Sequence, residues 1–316
     1  MVCFRYGMFS HLWTEQARRL GFDVHIIDQP WGTGAEEAAL QKVLSEDAGH
    51  KIKAVMVVHN ETSTGITSDI GGVRGAMDAA KHPALLLVDG VSSIGALEFE
   101  MDKWGVDVAM TGSQKALSLP TGLGLAAASP KALEAMKSSK FPRFFFAYED
   151  MMKTNAAGTF PYTPSIPLLY GLREALAAMK EEGLNNAIKR HVRLAEGTRK
   201  AVAAWGMKLL CKHPRWNSHS LTVVEAPAGV DTDVLVKTAW AKYNLSIGLG
   251  LGEVKGKVFR IGHLGDMNEV GMLGAIAGVE MALIDVGAKI TPGSGVGAAA
   301  KYWQETSSVI KSREIL

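Results

Sequence analysis

The sequence predicts an α/β fold with a mostly parallel sheet, followed by a smaller α+β unit. Three observations carry that expectation. Short apolar runs alternate with amphipathic stretches through the first part of the chain. Several of those runs are apolar on both faces, as strands covered by helices on both sides must be. After Gly206 the texture changes to a few strands and helices in a different order.

Taken in order, the strand-like runs are Val24-His25-Ile26-Ile27, Ala54-Val55-Met56-Val57-Val58, Leu85-Leu86-Leu87-Val88, Val106-Asp107-Val108-Ala109-Met110 and Leu123-Gly124-Leu125-Ala126-Ala127-Ala128. Helix-like segments lie between them, at residues 70–80 and 131–138 among others. Residues 167–182 read as a long helix because Leu168, Leu172, Ala175, Leu176 and Met179 share one stripe, with Gly183 as C-cap. Residues 184–205 keep a helical period through Leu184, Ile188, His191, Leu194, Ala195, Val202 and Trp205, and Gly206 ends it. In the last part, Leu221-Thr222-Val223-Val224-Glu225 and Val258-Phe259-Arg260-Ile261 read as strands. Residues 234–243 and 268–283 read as helices. The tail from Gly293 is rich in Gly, Ala and Ser and reads as loosely packed, with Tyr302-Trp303 as its aromatic anchor.

A chain of 316 residues is longer than one core usually serves. We expect a large α/β domain at 1–184 and a small α+β domain at 185–316. A net charge of +2 with no basic block gives nothing for nucleic acid to bind. No apolar run is long enough to span a bilayer, and the first residues do not form a signal peptide. Cys3 and Cys211 are far apart and have no partner at metal-ligand spacing, which favours a reducing compartment and a cytoplasmic location. The last residues, Ser312-Arg313-Glu314-Ile315-Leu316, do not form a Ser-Lys-Leu-type peroxisomal address.

The chemistry-bearing pattern centres on Lys115, in Thr111-Gly112-Ser113-Gln114-Lys115-Ala116. That segment directly follows one apolar run, and Asp89 ends another. A lysine just past one strand and an acid at the end of a second suit a pyridoxal-phosphate (PLP) site. The lysine forms a Schiff base with the cofactor aldehyde, and the acid pairs with the pyridinium nitrogen. Alone, Asp89 reads equally well as an aspartate capping a loop. Gln114, the hydroxyls of Thr111 and Ser113, and Thr62-Ser63-Thr64-Gly65 are candidates for a phosphate cup. Phe9 could cover one face of the pyridine, although an aromatic at such a position is more often core. Arg260, flanked by Phe259 and Ile261 and followed by glycines, could grip a substrate carboxylate with two parallel hydrogen bonds.

Other patterns are weaker. Gly122-Leu123-Gly124-Leu125-Ala126-Ala127 matches a dinucleotide fingerprint in letters but runs into a strand rather than a helix. Gly248-Leu249-Gly250-Leu251-Gly252 reads as a flexible loop near Arg260. His59 and Glu61 have no further histidine at ligand spacing, so we expect a supporting role for them and not a metal site. His11, His191 and His263 have no partner that the sequence identifies.

These residues, in this order, resemble the class V (fold type I) PLP-dependent aminotransferases, above all the serine–glyoxylate and alanine–glyoxylate group. The carrying segments are His59-Asn60-Glu61-Thr62-Ser63-Thr64-Gly65, Leu86-Leu87-Val88-Asp89, Gly112-Ser113-Gln114-Lys115, Phe160-Pro161-Tyr162-Thr163-Pro164 and Lys257-Val258-Phe259-Arg260-Ile261-Gly262-His263-Leu264-Gly265. The resemblance implies Lys115 as the Schiff-base lysine and Asp89 as the pyridinium partner. Thr62 would sit at the 3-hydroxyl side of the ring, Gln114 at the phosphate and Phe9 on the ring. Tyr162 and Ser165 would donate to the phosphate of the other subunit's cofactor, in a homodimer with shared active sites, and Arg260 would bind the substrate carboxylate. The implied reaction converts L-serine and glyoxylate to hydroxypyruvate and glycine, with alanine or another small amino donor left open. The family also carries a further N-terminal segment, so the large domain is expected to be incomplete at its N-terminus. Two competitors remain at this point. One is a cysteine desulfurase-like relative, which would need a nucleophilic cysteine. The other is a non-catalytic remnant of the fold that binds a partner.

Overall fold

The computed structural model describes residues 1–307. In chain order its first part runs β1 (Val2–Arg5), α1 (Met8–Arg19), β2 (His25–Asp28), α2 (Glu37–Glu46), β3 (Ala54–Val58), β4 (Asn60–Glu61), β5 (Ile66–Thr67), α3 (Ile70–Ala79), β6 (Leu85–Asp89), β7 (Val108–Gly112), β8 (Gly124–Ala128), α4 (Pro130–Lys137) and α5 (Tyr148–Ala156). The long helices α6 (Ile166–Glu182) and α7 (Leu184–Ala204) follow. The chain then forms β9 (Leu221–Glu225), α8 (Thr232–Tyr243), β10 (Gly248–Leu249), β11 (Val258–Gly262), α9 (Glu269–Asp285) and α10 (Ser294–Glu305).

Strands that are apolar on both faces need cover on both sides, and they find it. Six strands form one sheet in the order β2-β1-β3-β6-β7-β8. All neighbours are parallel except β7 and β8. β3 lies in the interior and is buried at every position. On one face, Val2, Phe4, Val55, Val57, Leu86 and Val88 pack with Leu40 and Leu44 of α2 and Ile70, Val73 and Met77 of α3. On the other, Cys3 and Met56 pack with Ala17 of α1. This is the mostly parallel α/β sheet expected of fold type I. β7 starts at Val108, two residues later than its apolar run, and just before it the Asp107 carboxylate accepts from Leu86 N and Ser129 Oγ.

The last part builds a second core. The antiparallel sheet β10-β11-β9 packs Val224, Phe259 and Ile261 against Leu194, Val202, Leu235, Met272, Ile276 and Val279. Two expectations change here. The tail is not loose: residues 294–305 form α10, and Trp303 is almost fully buried. Gly197 of α7 leaves the notch that the Trp303 indole fills, and Gly295 leaves one for Trp205. The small residues that made this segment look unstructured are what let the helices approach. Gly248 and Leu249 are likewise a strand rather than flexible loop, paired with Arg260 and Phe259. The C-terminal residues weighed as an organelle address lie outside the described residues. None of the described helices is long and apolar enough to cross a membrane.

Candidate active site

Ligands of open α/β sheets bind outside the carboxyl ends of the parallel strands. Here Val58 pairs with Asp89, so β3 and β6 end level, and Asp89 pairs with Met110, beyond which β7 continues to Gly112. The segments that leave this edge carry Phe9 after β1, Thr62 after β3, Asp89 at the end of β6 and Lys115 after β7. Arg260 comes from β11 of the second sheet.

The lysine turn is built by Ser113. Its fully buried hydroxyl donates to Pro120 O at 2.7 Å and accepts from Leu123 N at 3.1 Å. Ser113 is therefore spent on the turn and withdrawn from the phosphate candidates, whereas its neighbour Gln114 stays exposed. Ser63 and Thr64 are committed as well, to Glu61. Thr111 Oγ1 donates to Val91 O at 3.4 Å.

Lys115 feels both Asp89 and Arg260. Burial, and then the positive charge of Arg260, pull the Lys115 ammonium below its ordinary value, while Asp89 opposes them. Burial pushes the Asp89 carboxyl up. The N–H of Val91, 2.8 Å away, opposes that rise, Glu61 adds to it and Lys115 works against it. Burial also lowers Arg260, with Glu61 opposing. Arg260 donates through Nε to Leu249 O at 2.8 Å and through a terminal nitrogen to Thr62 O at 3.2 Å. A side chain at Gly248 would place its Cβ 3.0 Å from Arg260 Nε, so the glycine gives the guanidinium room.

Phe9 is 37% exposed at the start of α1, so it is no core aromatic. Tyr162 belongs to an exposed aromatic group, and Ser165 stands at the start of α6. Phe144 and Phe146 are 75% and 69% exposed, Tyr162 stacks on Phe145 at 4.2 Å, and Ser165 starts α6 without capping it. The apolar stripe expected on α6 is present, yet no residue of that helix is buried.

The sequence reading missed a clamp on the segment after Arg260. His191 Nδ1 lies 2.7 Å from Ala187 O and must donate, so Nε2 accepts from Gly265 N at 3.0 Å. Arg190 donates to Gly265 O and Met267 O and forms an ion pair with Glu182. Ser118 Oγ accepts from Asp266 N at 2.9 Å, which docks this segment on the lysine turn. Gly265 has φ +92°, and a Cβ there would lie 2.6 Å from Ser118 Oγ. A histidine within an otherwise apolar helical stripe was the available signal. His263 is paired too, with Thr222 Oγ1 and His219 O. His59 is buried between Phe99 and Trp104, and no metal-binding cluster exists among the described residues. Neither cysteine is poised as a nucleophile: burial pushes the Cys3 thiol up to about 11 and raises Cys211 as well.

A fold of this type, with a lysine and an acid at the carboxyl edge and an arginine from a second sheet, defines a PLP-dependent transaminase. The chain belongs to the class-V aminotransferase family, whose sequence model matches residues 3–248. It is 57% identical to the serine–glyoxylate aminotransferase of Methylorubrum extorquens, over 95% of this chain and 76% of that protein. It is 56% identical to the serine–glyoxylate aminotransferase of Arabidopsis thaliana, over 99% and 78%. The crystal structure of ureidoglycine–glyoxylate aminotransferase from Bacillus subtilis superposes with a TM-score of 0.89 at 28% identity, covering 96% of this chain and 78% of that one. Family membership implies pyridoxal phosphate as cofactor.

Proposed function

We propose that this enzyme is a serine–glyoxylate aminotransferase that carries the amino group of L-serine to glyoxylate, giving hydroxypyruvate and glycine. The observation that carries the reading is the convergence on Lys115, in the turn after β7, of Asp89 from the end of β6 and Arg260 from β11. Serine as donor is supported by the relatives at 57% and 56% identity. Arg260 would recognise the carboxylate that every 2-amino acid shares, so alanine or another small amino donor is the second reading.

The donor set fits PLP. A carboxyl pushed up by burial, and further by Glu61, with one N–H for company, gains most from a protonated pyridine nitrogen, so Asp89 would hold the ring. Lys115, whose ammonium form is disfavoured by burial and by Arg260, would supply the amine that joins the cofactor aldehyde. Gln114 is exposed and would face the phosphate, Thr62 the 3-hydroxyl side and Phe9 the ring. When bound, PLP supplies an electron sink for the substrate α-carbon. The chain's own side chains do the rest. Arg260 would hold the α-carboxylate, and Lys115 Nζ would take the α-proton of serine and carry it onward as the amino group is transferred.

We also assign residues 1–184 and 185–316 to a large and a small domain, and propose a homodimer with shared active sites. The uncovered aromatic group around Tyr162 and the unburied α6 support the dimer, in which Tyr162 and Ser165 would reach the partner's cofactor. Two unpaired cysteines suit a reducing cytoplasm. The test is an absorbance titration of the purified protein with PLP, then with L-serine and glyoxylate. A visible band that bleaches with serine and returns with glyoxylate, with borohydride labelling of Lys115, is expected. Failure to form hydroxypyruvate and glycine would sink the assignment.

A further inference from the structure

Glu61 is fully buried, and its carboxylate is held by four donors, none of them a cation. Oε1 accepts from Phe9 N at 3.3 Å, Ser63 N at 3.1 Å and Ser63 Oγ at 2.7 Å, and Oε2 accepts from Ser10 N at 2.9 Å. Ser63 Oγ in turn accepts from Met8 N at 2.8 Å. The acid thus spans two segments that both leave the carboxyl edge of the sheet: the first turn of α1, which carries Phe9, and the turn after β4, which begins with Thr62. The approach is close enough that a Cβ at Gly7 would overlap Glu61 Cγ and Cδ. The carbonyl of Thr62, the next residue, accepts from Arg260. Glu61 also stands close enough to act on both Asp89 and Arg260 by charge.

We propose that Glu61 is the positioning residue of the site. Its carboxylate fastens Phe9 to Thr62 and, through the Thr62 carbonyl, to Arg260. One buried charge thereby sets both the ring-facing groups and the carboxylate-binding cation. This inference rests on the cofactor reading above. A plain helix cap would use the same hydrogen bonds but would matter only for stability. Two features argue for more: the carboxylate takes donors from both segments, and the chain gives up a side chain at Gly7 to let it in.

The test uses the full chain with Glu61→Ala, Glu61→Gln and Gly7→Ala. Hydrogen–deuterium exchange without cofactor should show about tenfold or greater loss of protection at Phe9, Ser10 and Ser63 in E61A, with β3 and β6 unchanged. PLP affinity should fall about tenfold or more in E61A and G7A. In E61Q it should fall only about threefold, because the amide oxygen keeps the Oε1 donors while the amide nitrogen opposes Ser10 N–H. At saturating PLP, the KM for glyoxylate should rise in E61A more than kcat falls. If E61A lowers only the melting temperature, with PLP affinity and KM unchanged, the proposal is overturned. Unchanged protection at Phe9 and Ser10 overturns it too, whether or not PLP binds. A wild-type protein that binds no PLP overturns the cofactor reading instead, and the exchange result then decides the Glu61 contact by itself.

Discussion

Replacing His191 by alanine tests the clamp on the substrate-side segment. The imidazole is buried, donates to Ala187 O and accepts the buried Gly265 N–H. Removing it orphans that N–H, at about 1–3 kcal/mol, and deletes a second hydrogen bond worth about 1 kcal/mol net. We expect His191→Ala to lower the unfolding free energy by about 3 kcal/mol at neutral pH. The pH dependence adds an independent signature. Burial, opposed by the Ala187 carbonyl and aided by Arg190, holds His191 down at about 4 against an ordinary 6.5. Between those values the unfolded chain binds the proton and the folded one does not, so stability falls as pH falls. His191 contributes about 3 kcal/mol that is fully present above its unfolded value and lost by about pH 4. The gap between wild type and His191→Ala should therefore shrink toward acid. His59 and His219 also titrate near about 4, so the difference between the two proteins isolates the one residue. Urea unfolding at about pH 7.5 and about pH 5 measures it. A loss smaller than about 0.5 kcal/mol at pH 7.5, or a gap independent of pH, would refute the reasoning.

Other expectations follow from the same geometry. Arg260→Ala should raise the KM for serine and glyoxylate about 10- to 100-fold, and Arg260→Lys should recover little, because an ammonium cannot make the paired hydrogen bonds. Steady-state kinetics at saturating cofactor decide this, and an unchanged KM would remove Arg260 from the carboxylate site. Glu280→Ala should destabilise by about 3 kcal/mol, because it strands the buried Trp205 Nε1 and Gly295 N–H and also removes the acceptor of Gly293 N. Thermal unfolding reads the loss, and retention of the wild-type midpoint would contradict the buried role.

Much of the candidate site was legible because it is local in sequence. Lys115 and Asp89 announce themselves as polar residues at the ends of apolar runs, and β3, β6 and β7 carry their edge residues in a few adjacent positions. The helices α6 and α7 were readable from their period. What failed was the reading of small residues. Gly and Ala in α10, and glycines around β10, look like weak structure until the partner is present. Gly295 of α10 admits the Trp205 indole from the far end of α7, and Gly248 beside β11 gives Arg260 its room. His191 and Glu61 looked isolated for the same reason: His191 meets Gly265, and Glu61 meets Phe9 and Ser10, only across long chain separations.

The sequence alone therefore determined the α/β class, the positions of most strands and helices, and the residue types fit for PLP chemistry. Hydrophobic period and a polar residue at a strand's end are local properties. Tertiary structure decided which candidates are occupied elsewhere. Ser113 went to its turn, and Ser63 and Thr64 went to Glu61. It also set the charge balance. The lowered Lys115 and raised Asp89 are consequences of burial and of Arg260 and Glu61 arriving from other elements. A proton's affinity depends on the distance to charges and water, which no single segment of chain contains.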